Sequence, residues 1–237
     1  MEEDNIIELD EWTNAIDSLE FAASIMKKKD ALKWKWVLNG VHHCLYSLCI
    51  ARLRHFGKKA IAGRKNYDSA FVYKNSSGIW RQSEERKIDG AYGFYRIKWN
   101  EISEKNAIEK KQKFEKQNFG TKDKNIKKSE RHLIGFSTAL ARVMDNEYWM
   151  KGNALYLNDY EIKNIGYIHN IRNLFEHFIY PEIRFNISRI LRSLPSLYKS
   201  IEYLVFDLDD SPCPDENDMI DRIKSSLNAL RIVSDQR

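Results

Sequence analysis

Along most of the chain, apolar side chains return every three or four residues, the mark of helices with one buried face. Trp12, Ile16, Leu19, Ala23 and Met26 predict a first helix from about Asp10 to Lys29. Asp30 is placed to cap a second helix and Gly57 to end it. In that helix Trp34, Leu38, Val41, Leu45 and Leu48 make one stripe, widened by Trp36, Cys44 and Ile50. A helix apolar on most sides belongs at the centre of a bundle. Helical spacing resumes with Leu133, Phe136, Leu140 and Val143, then with Ile162, Ile165, Ile168, Ile171, Phe175 and Phe178. Asn158 followed by Glu161 has the form of a capping box. Pro181 disfavours helix at Tyr180, which puts the end of this helix just after His177. Another helix fits Ile187 to Leu204, bent or restarted near Pro195, and a last one carries Met219, Ile220, Ile223, Leu227 and Leu230.

Residues 58–131 break the pattern. AFVYKNSSGIWRQ reads as two extended runs around Asn75-Ser76-Ser77-Gly78, a hairpin signal, and GFYRIKWN fits a third strand. From Lys105 to Arg131 there are ten Lys or Arg against four Asp or Glu, with an interruption expected at Gly120-Thr121. The expected fold is therefore mainly all-α. It is a single domain over 1–237, a bundle of four to five helices, with a charged insertion at about 58–131 that holds a small β-hairpin.

Composition agrees with this picture and removes some alternatives. A chain of 237 residues can bury one real core. Four prolines and ten glycines are few helix breakers for that length. No apolar run approaches the roughly 20 residues that span a bilayer. The start, MEEDNIIELDEW, is acidic and lacks the order of a secretory signal. Cys44, Cys49 and Cys213 show no C-x-x-C pairing, which argues against a disulfide framework or a zinc cluster and for a reducing, cytoplasmic setting. The net charge of +5 does not by itself imply nucleic acid.

Candidate chemistry concentrates in NIRNLFEHF, residues 170–178, where Arg172, Asn173, Glu176 and His177 interrupt an apolar helix. Arg172 and Glu176 share a face, as do Asn173 and His177. Arg172 and His177 point roughly 140° apart on an ideal helix. One helix therefore does not aim both at one atom, whereas two copies across a twofold axis place both in a shared cleft. Cleaving RNA without metal needs a base for the ribose 2′-hydroxyl, an acid for the leaving 5′-oxygen and positive charge for the crowded phosphorane. Histidine titrates near neutrality and serves proton transfer. Arginine stays charged and grips phosphate. Asparagine orients either, and a histidine at a helix C-terminus is favoured in its protonated form by the dipole. The plain structural alternative pairs Arg172 with Glu176 on the surface and has His177 cap a free carbonyl.

Other residues are weighed beside these. His42 and His43 are core histidines of the second helix unless one lines the cleft; His43 and Glu176 are the candidates for that lining. His169 and Glu176 are seven apart with no third ligand, so no metal is expected, and no cofactor is implied. Trp34 and Trp36 face different ways, so core packing for one, with snorkelling lysines, is expected. Lys110, Lys111, Lys113, Lys127 and Lys128 read as a solvated basic run, or as phosphate contacts once RNA is the substrate.

Arg172-Asn173-Leu174-Phe175-Glu176-His177 resembles the R-N-x-x-x-H signature of the HEPN superfamily. WTNAIDSLEFAASIMKKKDALKWKWVLNGVHHCLYSLCIARL looks like the first helix pair of its plasmid- and defence-associated members. RNLFEHFIYP is similar to their RN-x-F-x-HF-x-x-P context, and together these stretches span about half the chain. The resemblance implies a small helical bundle that dimerises into a composite, metal-independent endoribonuclease site. It implies phosphate and transition-state contacts from Arg172, acid-base work from His177 and a supporting role for Asn173. A toxin-antitoxin or antiviral defence system, with an antitoxin or defence-system partner, is the implied setting. Members paired with a nucleotidyltransferase antitoxin carry a tyrosine two residues after the histidine. Here Ile179 stands there and Tyr180 follows, so control through that tyrosine is not implied. The competing expectations are a non-catalytic HEPN module that binds nucleic acid, a nucleotide or a partner protein, and a helical scaffold with a chance signature.

Overall fold

The structure, a computed structural model, describes residues 10–30, 32–55, 61–62, 72–119, 132–145, 154–177, 184–206 and 216–235. It is mainly helical. Helix α1 (Glu11–Met26) starts at Asp10, whose carboxylate accepts from the Thr13 amide at 2.6 Å. Helix α2 (Lys33–His55) follows at once, with the Leu32 amide donating to the Asp30 carboxylate at 2.8 Å. The two helices close on each other at Gly40. A Cβ there would meet the Ser18 carbonyl oxygen at 2.5 Å, so only glycine allows this approach.

The predicted stripe of α2 is the core. Trp34, Leu38, Val41, Leu45 and Leu48 are all buried, and α2 packs against α1, α4 (Phe136–Val143), α5 (Asp159–His177) and α6 (Ile187–Phe206). Helix α7 (Glu216–Asp235) closes the bundle against α1 and α6. Arg222 of α7 grips the Glu20 carboxylate of α1 through two 2.8 Å bonds. Trp34 is buried and Trp36 exposed, each with its preceding lysine ammonium over the ring. Pro195 does not interrupt α6. It lies on the solvent side of the helix, where a proline's missing backbone donor is best tolerated.

The two extended runs around Asn75–Gly78 and the third run at GFYRIKWN are all strands. Strands β2 (Val72–Lys74), β3 (Trp80–Lys87) and β4 (Tyr95–Glu101) form a three-stranded antiparallel sheet in the order β2-β3-β4. Asn75 builds the first turn: its side-chain oxygen accepts from the Ser77 and Ile79 amides, and Gly78 takes a φ of 78°. Helix α3 (Glu104–Phe119) lies on β2 and β3. A two-residue ladder closes the base of the insertion. In it β1 (Ile61–Ala62) pairs with β5 (His132–Leu133), Ile61 opposite Leu133. The sequence predicts a bundle of four to five helices, and the described residues hold seven helices in all. Five are long helices of the bundle, α4 is a short one against α2, and α3 belongs to the insertion. Gly57 and Gly120-Thr121 lie outside the described residues.

The insertion does not stand apart from the bundle. The β3–β4 turn carries three positive φ angles, at Gly90 (71°), Tyr92 (50°) and Gly93 (88°). This tight bend turns Ala91 and Phe94 inward, where both are fully buried in the main core. It docks on α5 at Gly166, where a Cβ would meet the Ala91 carbonyl oxygen at 2.5 Å. Polar ties reinforce the seam. The Trp99 indole donates to Asp145 at 2.6 Å, and the Arg96 guanidinium donates to the Leu157 carbonyl and the Asp159 carboxylate.

Candidate functional site

Helix α5 carries the candidate residues, and its start is fixed locally. Asn158 and Glu161 cap each other reciprocally, each side chain accepting the other's backbone amide at 2.9 Å. Ile162, Ile165, Ile168 and Ile171 then point into the core. His169, Arg172, Asn173 and Glu176 recur at spacings of three and four on another face, which α2 meets.

On that face a continuous line of polar contacts runs from core to rim. His42 of α2, only 3% exposed, places Nε2 2.8 Å from Nδ1 of His169. The two rings stack with centroids 5.0 Å apart. His169 Nε2 lies 3.0 Å from the Asn173 side-chain nitrogen. The Asn173 side-chain oxygen accepts from Arg172 at 3.1 Å, and the far side of the Arg172 guanidinium meets the Glu176 carboxylate at 2.6 Å. Phe136 approaches His42 at 4.3 Å, and Phe94 and Phe136 each stand 5.4 Å from His169. The insertion turn therefore supplies one wall around the histidine pair.

This box sets the protonation states. Burial, then the neighbouring His169 and Arg172, hold His42 well below the ordinary imidazole range. Burial, then Arg172, pushes His169 down to about 4. Both are neutral at physiological pH. His43 sits at the exposed rim of α2 beside the Tyr46 ring. Partial burial and then Arg172 lower it, while Glu176 opposes them. It is the imidazole on α2 that shares the solvent-facing end of the line with Arg172 and Glu176.

No family model, curated protein or solved structure matches the chain.

The structure thus brings Arg172, Asn173 and Glu176 together and sets His43 beside them. His177 is the last residue of α5, one helical turn beyond Asn173; its side chain lies outside the described residues. The basic candidates are elsewhere. Lys110 and Lys111 are exposed on α3, which among the described residues packs on β2 and β3 and not on α5. Lys110 bonds the Gln82 side chain, and the Lys111 ammonium lies 4.7 Å from the Trp80 ring centre. Lys113 belongs to α3 with its side chain outside the described residues, as are Lys127 and Lys128 entirely.

In the sequence either His42 or His43 can line the cleft, with His43 the named candidate, and nothing there pairs His42 with His169. His42 is the one that bonds to α5. The available signal was the spacing of His169, three before Arg172 and four before Asn173, which puts it on their face. His169 and Glu176 do not converge as metal ligands: His169 turns to His42 and Asn173, and Glu176 turns to Arg172. Among the described residues no three His, Cys, Asp or Glu side chains gather at one point. Nor is any described helix long and apolar enough to cross a membrane.

Chemically, the rim of this line offers a guanidinium held in a fixed plane, an imidazole that titrates below its usual range and a carboxylate. Such a set can bind an anion and move a proton.

Proposed function

We propose that the protein is a metal-independent endoribonuclease of the HEPN type, working in the cytoplasm as a homodimer whose two α5 helices contribute to one cleft. The observation that carries this reading is the fixed orientation of Arg172. Two acceptors on its own helix hold the guanidinium at the rim, five residues before the helix ends at His177. A planar cation fixed in this way suits bidentate contact with a phosphate better than a freely rotating side chain does.

In the proposed reaction a base removes the proton from a ribose 2′-hydroxyl. The 2′-oxygen attacks phosphorus, the bond to the 5′-oxygen breaks, and an acid protonates that leaving oxygen. The products are a 2′,3′-cyclic phosphate and a 5′-hydroxyl. Arg172 balances charge on the phosphorane, His177 handles a proton, and Asn173 holds Arg172. Lys110, Lys111, Lys113, Lys127 and Lys128 of the insertion bind RNA phosphates away from the cut. A toxin-antitoxin or antiviral defence system, with its own protein partner, is the setting this reading carries.

A second reading is a HEPN module that binds nucleic acid, a nucleotide or a partner without turnover. The Arg172–Glu176 ion pair favours it, because a carboxylate already occupies the cation that a scissile phosphate needs. A labelled RNA incubated with the purified protein in excess EDTA separates the two. Fragments ending in cyclic phosphate support the nuclease, and retention of intact RNA supports the binding module.

A further inference from the structure

The polar line from His42 to Arg172 has a direction, and one residue sets it. Arginine has only donors. The oxygen of the Asn173 side chain, 3.1 Å from Arg172, must therefore accept, which turns its nitrogen toward His169. That nitrogen donates to His169 Nε2 at 3.0 Å, so Nε2 carries no hydrogen and the neutral ring holds it on Nδ1. His169 Nδ1 then donates to His42 Nε2 at 2.8 Å, which leaves the His42 hydrogen on its own Nδ1. Every group in the chain is thereby fixed in one tautomer or one amide orientation.

We propose that His42 and His169 are positioning residues for Arg172: a buried relay of two neutral imidazoles locks the Asn173 side chain with its oxygen toward the guanidinium. The role in cleavage rests on the nuclease reading; the relay itself does not. Phe94 and Phe136 give the pair no alternative hydrogen-bond partner on their side. The charged and titratable groups facing it are Arg172 of α5 and His43 of α2, with Glu176 of α5 paired to Arg172 and acting on His43. The elements that otherwise wall the pair, α4 and the β3–β4 turn, present Phe136 and Phe94. A proton added to His169 would put hydrogens on both sides of its contact with Asn173. The side chain would have to flip, and its amino group would then face the arginine.

The relay is tested without RNA by long-range proton–nitrogen correlation spectra of protein labelled with 15N-histidine at pH 6.5. His42 and His169 should both show the neutral Nδ1–H pattern. Asn173→Ala, which removes the donor at Nε2, should convert His169 to a tautomer mixture. An imidazolium or Nε2–H pattern at either ring in the wild-type protein overturns the relay, as does an unmoved His169 pattern in Asn173→Ala. Its role is tested by comparing His42→Gln, which keeps an acceptor for His169, with His42→Phe, which fills the box without one. Cleavage should stay within about threefold of wild type in His42→Gln and fall tenfold or more in His42→Phe, in kcat rather than KM. Equal rates in the two variants overturn the positioning role. Should wild-type protein cleave no RNA, the spectra still decide the relay, and the nuclease reading alone is lost.

Discussion

His42 and His169, 127 residues apart in sequence, share a hydrogen bond of 2.8 Å between Nε2 and Nδ1 inside a wall of phenylalanines. Neither ring can take a proton cheaply there, which links the site to the stability of the fold. An unfolded histidine titrates near 6.5, whereas His169 is pushed down to about 4 by burial and Arg172, and His42 is also held well below its usual range. Between these values the unfolded chain binds more protons than the folded one, so stability rises with pH. It is complete above pH 6.5 and falls as pH drops toward 4. For His169 the whole window is worth roughly 3 kcal/mol. Melting temperature should drop on acidification from pH 7 to pH 4.5, and drop less in a His42→Phe/His169→Gln double variant. Parallel pH dependences in the two proteins would contradict the buried neutral pair.

Gly166 lets the insertion touch the signature helix. In Gly166→Ala the new Cβ meets the Ala91 carbonyl oxygen at 2.5 Å, and that atom is backbone rather than the end of a flexible side chain. Overpacking of this kind costs about 1–3 kcal/mol. Urea denaturation should register that loss. The strain should also move Phe94 from His169, visible as a changed His169 resonance. A variant as stable as wild type would show that the turn is not seated on α5 as described.

Glu176 competes with phosphate for Arg172. The pair is partly exposed, so Glu176→Gln should change stability by less than about 1 kcal/mol. It should nevertheless tighten binding of a short RNA several-fold, because the guanidinium no longer has to leave a carboxylate. Fluorescence anisotropy with His177→Ala as background keeps cleavage from obscuring the binding. Weaker binding in Glu176→Gln would mean that Glu176 contacts the RNA itself.

Lys110 and Lys111 sit on the insertion, away from α5. Replacing both with glutamate should weaken RNA binding and lower the slope of log affinity against log salt by on the order of one per lysine. The cleavage rate at saturating RNA should be unaffected. An unchanged salt slope would remove α3 from the RNA path.

The sequence revealed local features well and long-range ones poorly. The Asn158–Glu161 box and the Asn75–Gly78 turn are legible because all of their hydrogen bonds close within four residues. The α2 stripe is legible because burial on most sides leaves a broad apolar pattern. The meeting of His42 with His169 has no such trace: helical spacing says which residues share a face, not which helix that face meets. Gly166 is similar. Within a helix it reads as a weak propensity, and its reason is a carbonyl 75 residues earlier in the chain. The closing ladder of β1 and β5 is two residues long on each side, too short for any alternating pattern to show. The third strand and the helix of the insertion follow residues whose pattern was visible, and only their assembly onto the bundle was not.

The most direct test of the account is end-group analysis of a labelled single-stranded RNA after incubation with wild-type, Arg172→Ala and His177→Ala proteins in excess EDTA, each first shown to be folded by circular dichroism. Wild-type protein should yield cyclic-phosphate and 5′-hydroxyl ends, and both variants should yield none. Metal-independent cleavage of equal rate in His177→Ala, or intact RNA with all three folded proteins, would contradict the assignment of this helix as a ribonuclease centre.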